Sequence, residues 1–349
     1  QMTEGRQLAS GVVRAQRLRL AGQRVGDGEA QFELADRTLS LQRLMLRDPE
    51  TNAFCRLHGT VGFDDDGPLA LSGDVRGFEL DRLTPLLGDQ RKLSGRLSGR
   101  LDFAGEITGT RRFPLIGGVA NVFFGSVAGV PFTRLSLRST PQGPRELALQ
   151  AELSDSAYAA KVEGTVTDLD PKAGTARYAL EGLLSSRDLG QVAPLAAPKV
   201  PALAESEGTL SGQVSLTGRV VRRESGEDAG RLNPLADLRG TASLHLGGAA
   251  RSQLRIAGVD LDGADLDLVA DQNQVRIDRL EFATGSTRVA LKPGTDNVVR
   301  DLDTQARLEL HLVSRRLRYD DLMGLTRVPL RTEGYVDGEA EVTGLVREP

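Results

Sequence analysis

The side chains that could carry chemistry in this chain are few. Three histidines, His58, His245 and His311, and one cysteine, Cys55, are its whole stock of imidazole and thiol. Each histidine adjoins leucine, as in Leu244-His245-Leu246 and Leu310-His311-Leu312, and none has a second His or Cys at metal-ligand spacing. Alternation puts all three on the polar parity of a strand, as solvated residues and not as bases or ligands. Asp64, Asp65 and Asp66 before Gly67-Pro68 imitate the start of a calcium loop but lack its later ligands and closing glutamate, so they read as a turn. The carboxylates of DLDGADLDL (260–268) alternate with leucine as on the solvated face of a strand, whereas paired catalytic carboxylates must face each other across a cleft. No GxxxxGK[ST], HExxH or GxSxG string is present, and the glycines at Gly26 and Gly28 break the dinucleotide fingerprint. The residues therefore point to a non-enzymatic protein, with no cofactor and no metal expected.

What does recur is glycine. GRLSGRLDFAG from Gly95, GTLSGQVSLTG from Gly208 and GYVDGEAEVTG from Gly334 carry glycine at offsets zero, four and ten. Offsets two, six and eight are apolar or small: Leu97, Leu101, Phe103; Leu210, Val214, Leu216; Val336, Ala340, Val342. All six offsets are even, so in an extended strand they share one face, and the other face is polar. Glycine there either lets something approach the backbone closely or marks a bulge that bends the sheet.

Composition bounds the rest. Lys and Arg total 44 against 48 Asp and Glu, interspersed, and aromatics are 4% with no Trp, so neither the basic stripe nor the stacking platforms of a nucleic-acid binder are present. A single cysteine excludes an internal disulfide, and Cys55 shares the parity of Leu57, as a buried thiol. No run approaches the roughly 18 apolar residues of a membrane span, and no signal-peptide pattern opens the chain, which reads as a piece of something longer.

Along the chain, short alternating segments separated by turns continue almost without break. Strands are expected over 11–48, with turns at Gly26-Asp27-Gly28 and Asp36-Arg37, and then over 54–63 and on to the first glycine strand. Short helices are expected before each glycine strand, in LDRLTPLLGDQ, SSRDLGQVAPLAAPKVP and LRYDDLMGLTRV. The glycine strands begin 113 and 126 residues apart, and LRLAG, FFGSVAG and LRIAG keep step with them. Three tandem modules are expected, 1–110, 111–234 and 235–349, with PALAESEG (201–208) and VVRRESGEDAGRLNP (220–234) as mobile connections.

Strands apolar on one face must hide that face in a sandwich, a barrel or a curved open sheet. An unbroken run of strands favours the last: a mainly β, elongated, curved antiparallel sheet with a concave hydrophobic groove and a few short helices. At about 4.8 Å per strand, twenty strands would span on the order of 100 Å. The residues expected to line the groove are Leu18, Leu20, Phe32, Leu34, Leu57 and Val61, then Leu97, Leu101, Phe103, Leu135 and Leu137. Further along they are Leu210, Val214, Leu216, Leu254, Ile256, Leu266 and Leu268, and finally Leu308, Leu310, Val336 and Val342. An ordinary sandwich core stays open as an alternative for the same residues.

The phrase "short helix, then GxLxGxLxLxG", together with LRLAG and LRIAGVDLDGADLDL, resembles the AsmA-like superfamily, most of all its TamB type. That resemblance implies a repeating β-groove, or β-taco, fold in the periplasm of diderm bacteria, with the full-length protein anchored in the inner membrane. It implies that phospholipid passes between inner and outer membranes, and that missing terminal segments make the membrane contacts. It also implies a link to outer-membrane protein assembly, with a BamA-like barrel as partner. From the sequence the rivals are a scaffold that adds strands to outer-membrane clients at sheet edges, and a closed stalk with a dry interior.

Overall fold

Asp36 and Arg37, both with positive φ (43° and 62°), form the two-residue turn whose twist suits a hairpin, and antiparallel pairing of neighbouring strands builds the described sheet. The computed structural model describes residues 8–20, 23–64, 66–80, 97–111, 114–127, 130–170, 173, 175–196, 206–222, 232–248, 254–256, 259–272, 274–301, 306–318 and 334–345. Nineteen of its strands form one large antiparallel sheet, and two more form a separate hairpin. The chain gathers into two compact units, residues 1–155 with 165–174, and 156–164 with 175–349.

The first unit is a meander of β1 (Leu8–Leu20), β2 (Gln23–Ala35), β3 (Thr38–Arg47), β4 (Phe54–Gly62), β5 (Leu69–Glu79), β6 (Leu97–Gly109), β7 (Pro114–Val127), β8 (Val130–Gly143) and β9 (Glu146–Ser154). Each strand pairs antiparallel with the next. Gly26-Asp27-Gly28 is not the expected turn; it lies inside β2, where Gly26 takes φ 110° and the Asp27 carboxylate accepts the Arg17 N–H at 2.8 Å. Arg17 is the extra residue of a bulge, with φ 53°, and the carboxylate satisfies the N–H that the bulge removes from the ladder. The same device recurs where Asp102 accepts the Gly77 N–H at 2.8 Å beside the β5/β6 bulge.

β10 (Tyr158–Asp170) has residues in both units. The second unit continues with β11 (Thr175–Ser186), α1 (Leu189–Ala196), β12 (Thr209–Arg222), β13 (Leu232–Gly247), β14 (Leu254–Ile256), β15 (Val259–Leu261), β16 (Gly263–Asp271), β17 (Gln274–Thr284), β18 (Thr287–Leu291), β19 (Val298–Arg300), β20 (Arg307–Arg318) and β21 (Tyr335–Leu345). The second expected helix is α1, capped by Asp188, whose carboxylate accepts the Gly190 N–H at 3.0 Å. The first and third expected helices lie outside the described residues, apart from Leu80 and the end of β20. The expected connection at 220–234 is shorter than its composition suggests, because β12 runs to Arg222 and β13 starts at Leu232. β18 and β19 share the work of one strand between β17 and β20, and buried Asn297 between them accepts the His311 N–H at 2.7 Å.

Cys55 is buried with Ala53 and Phe78 beneath the β3–β4 loop, which Asp48 ties by accepting from the Glu50 N–H and the Thr51 hydroxyl, both at 3.0 Å. Burial first, and the charge of Asp74 second, push its thiol above the ordinary 9.0. A raised folded pKa means that the thiol contributes fully below the unfolded value and that stability is lost as pH climbs past about 9. Native protein is therefore expected to resist an aromatic disulfide reagent at pH 7 and to react at once in denaturant. Equal rates in the two states would contradict the buried placement.

Candidate functional site: the apolar face of the sheet

Alternation along β12 is clean. Leu210, Gly212, Val214, Leu216, Gly218 and Val220 are half-buried, while Ser211, Gln213, Ser215, Thr217 and Arg219 are exposed. Register then carries that face from strand to strand in the second unit. Leu184, Gly212, Leu244, Leu266 and Leu280 lie opposite one another across five neighbouring strands. Beside them run Gly182, Val214, Ala242, Leu268 and Ile277, and then Leu180, Leu216, Gly240, Ala270 and Val275. Val275 continues through Val299 to Leu308, while Leu310 faces Val342.

The first unit shows the same pattern. Gly28, Leu46, Cys55, Val75 and Phe103 form one row, continued by Ala120 and Leu137. Phe78, Leu101, Val122, Leu135 and Leu153 form another, and Leu34, Leu39, Val61 and Leu69 a third.

Among the described residues these apolar rows keep contact with solvent. In a sandwich such residues would be nearly inaccessible, yet most of the rows are only half-buried, and Leu137 is 41% and Val342 43% exposed. Among the described residues the only strands outside the large sheet are β14 and β15. The opposite face is charged: in the second unit Asp265 meets His245 Nδ1 at 2.7 Å and Arg279 at 2.8 Å, both solvent-accessible.

One margin of the apolar face in the second unit is closed. Leu189 of α1 and Leu254 and Leu261 of the β14–β15 hairpin are buried against Leu210, Leu246, Ala264 and Phe282. Gly208, the first glycine of the second motif, is where they converge: its carbonyl accepts the Leu189 N–H at 3.1 Å, and φ is 135°. A Cβ there would stand 2.7 Å from the Gly247 carbonyl oxygen and 2.8 Å from Leu254 Cδ1. Glycine at this position is thus required by close approach of the cap.

Of the expected lining residues, Phe32, Leu34, Leu57, Val61, Leu101, Phe103, Leu135 and Leu137 share the apolar face of the first unit, and Leu18 packs with Leu46, Leu57 and Val75 under the β3–β4 loop. Leu210, Val214, Leu216, Leu266, Leu268, Leu308 and Leu310 share that of the second, where Val336 and Val342 stand at the β20/β21 pair. Leu20, Leu97 and Ile256 lie in β1, β6 and β14, with side chains outside the described set. Leu254 is placed differently: fully buried in the hairpin, it caps the face instead of lining it. Sequence reasoning missed Val122, Leu244, Leu246 and Leu280, although each keeps the alternation that identified its neighbours.

Among the described residues no three His, Cys, Asp or Glu side chains gather as a metal site, and no helix is long and apolar enough to cross a membrane. Compared with known proteins, the chain matches no family model, no curated protein and no solved structure.

Proposed function

We propose that the protein is a non-enzymatic conduit whose apolar face shelters the acyl chains of phospholipid while the headgroup stays in water. The observation that carries this reading is the run of registered apolar rows, half-exposed and with no second sheet laid over them among the described residues. A phospholipid leaving a bilayer exposes some thirty methylenes at about 0.8 kcal/mol each, over 20 kcal/mol in all, so unassisted passage through water is negligible. Rows of Leu, Val and Ile, with Gly and Ala among them, offset that cost to a similar degree at successive positions, so a lipid meets no deep well and no high barrier. Such a surface needs no catalytic group and sets no direction. Patches of this kind are rare on monomers unless they bind something.

The resemblance to TamB-type proteins supports the same reading. It extends it to a groove built from three modules, to a location between two membranes, and to contacts with those membranes through segments beyond this chain. Lipid extraction or native mass spectrometry of the protein purified from cells tests it. Phospholipid in at least stoichiometric amount is expected, and protein free of lipid would overturn the proposal.

A further inference from the structure

Two strands of the large sheet are paired on one side only. β1 pairs with β2 and β21 with β20, and among the described residues neither has a strand along its other edge. Both are unusually exposed on their apolar parity, with Val13 at 54% and Val342 at 43%. The unpaired backbone N–H and C=O groups along such an edge are a template for a further strand.

The repeat says which strand fits. β21 is the third glycine strand and β6 the first, so Gly338, Ala340, Val342 and Gly344 stand where β6 has Gly99, Leu101, Phe103 and Gly105. β1 in turn matches β7, the strand that pairs with the outer side of β6. Both run into Ala-Gly, at Ala21-Gly22 and Ala128-Gly129, and both carry Gly-Val further back, at Gly11-Val12 and Gly118-Val119. Each has a positive-φ residue five positions before the closing glycine, Arg17 at 53° and Phe124 at 52°. Their pairings with the next strand agree as well: Ala15 opposite Gly28 and Val13 opposite Ala30 correspond to Val122 opposite Leu135 and Ala120 opposite Leu137.

The motif glycines point the same way. A Cβ at Gly99 would stand 2.7 Å from Val122 Cγ1, and one at Gly105 would stand 2.2 Å from the Gly117 carbonyl oxygen, both atoms of β7. In β21 the matching Gly344 meets nothing within 4 Å, and Gly338 meets only Ser314 Oγ at 3.3 Å. β21 thus carries glycines suited to close approach of a strand on its free edge. Carried over from β6 and β7, the register sets Gly344 opposite Gly11, Val342 opposite Val13 and Ala340 opposite Ala15. On the polar face it sets Glu341 opposite Arg14 and Asp337 opposite Arg19. Charge played no part in that alignment, yet both facing pairs are of opposite sign. Glu29 and Lys292 already pair with Arg14 and Glu339, but from the inner side and in contact with water, which leaves the outer side open. β1 against β1, or β21 against β21, would set like charges together, so only unlike edges match.

We infer that β21 of one copy pairs antiparallel with β1 of a second copy, in the register of β6 with β7, and that copies join head to tail. The apolar rows then run on across the joint, from Val342 to Val13. The pairing rests on backbone, glycine and charge and not on the acyl reading, so a test without lipid decides it. One strand edge is a small interface, and the association is expected to be weak and dependent on concentration.

The test mixes two whole chains under oxidising conditions, one with Val13→Cys and one with Val342→Cys. In the stated register these positions lie about 4.5–5.5 Å apart at Cα, within disulfide reach, while the native Cys55 is buried. A disulfide-linked product of twice the chain mass is expected, at least tenfold more abundant than from either chain alone or from Val12→Cys, which faces the other way, mixed with Val342→Cys. By sedimentation equilibrium Glu341→Lys, an exposed change, is expected to weaken association at least tenfold, and adding Arg14→Glu to restore it. Chains that stay monomeric at every concentration, equal linkage through Val12→Cys, or a charge swap that restores nothing would overturn the pairing. So would a disulfide formed within one chain carrying both cysteines, or, in cells, linkage of Val342→Cys to another polypeptide in place of a second copy.

Discussion

Leu216→Arg is expected to lower co-purifying phospholipid at least tenfold while the protein keeps its β-sheet circular dichroism and stays monodisperse. Leu216 sits mid-strand, opposite Leu180 on one side and Gly240 on the other, within the continuous apolar rows. Its half-exposure lets an arginine stem lie along the sheet and its guanidinium reach water, so the cost to folding is about 1–2 kcal/mol. For a bound chain the effect is much larger, because a charge with its water now interrupts the hydrocarbon path. Ser215→Arg, one residue away on the polar face, is the matched control and is expected to change nothing. If both variants carry lipid as the parent does, the apolar rows are not the binding surface.

Leu254→Ala is expected to have the largest effect on stability. Leu254 is fully buried between α1, the β14–β15 hairpin and the sheet, with Leu189, Leu261, Leu210 and Leu246 around it. Removing its branched end leaves a cavity that rigid strands on one side cannot fill, a loss of about 3 kcal/mol. At roughly 2–4 °C per kcal/mol for a unit of this size, the melting midpoint should fall by about 6–12 °C. Because the cap is held by this cluster, by the paired backbones of Glu207 and Arg255 and by the Leu189 N–H on the Gly208 carbonyl, hydrogen exchange should rise first at Leu189–Ala196 and Leu254–Leu261. A change smaller than about 2 °C would show that the cap is not seated as described.

The alternation that exposes the apolar face was plain in the residues themselves. Leu210, Val214 and Leu216 with serine and glutamine between them can satisfy only a strand with one wet side, and the structure keeps that parity through β12 into both neighbours. The bulges were not legible. Arg17, Phe124 and Arg316 adopt positive φ, at 53°, 52° and 52°, at positions where nothing in their side chains asks for it. They are set by strand pairing, with Asp27 and Asp337 accepting the freed N–H groups of Arg17 and Arg316. Phe124, 78% exposed, is carried out of the apolar face by its bulge.

The cap was hidden for a different reason. LRIAGVDLDGADLDL changes parity at Ala257-Gly258 and again at Gly263-Ala264, breaks that suit a turn between strands of the large sheet as well as a hairpin folded over it. Only the cluster around Leu254 tells the two apart. The recurring glycine at Gly208 was visible, but its cause, contact with Gly247, Leu189 and Leu254, depends on chain segments brought together from 39 to 46 residues downstream and from the helix before it.

The most direct measurement places a photoreactive amino acid at Val214 or Leu268, on the apolar face, and at Gln213 or Asp267, on the polar face, and irradiates living cells. Phospholipid adducts at Val214 and Leu268, with none at Gln213 and Asp267, are the predicted result. Adducts at all four positions alike, or polypeptide in place of lipid at the first two, would contradict the assignment of the apolar face to acyl chains.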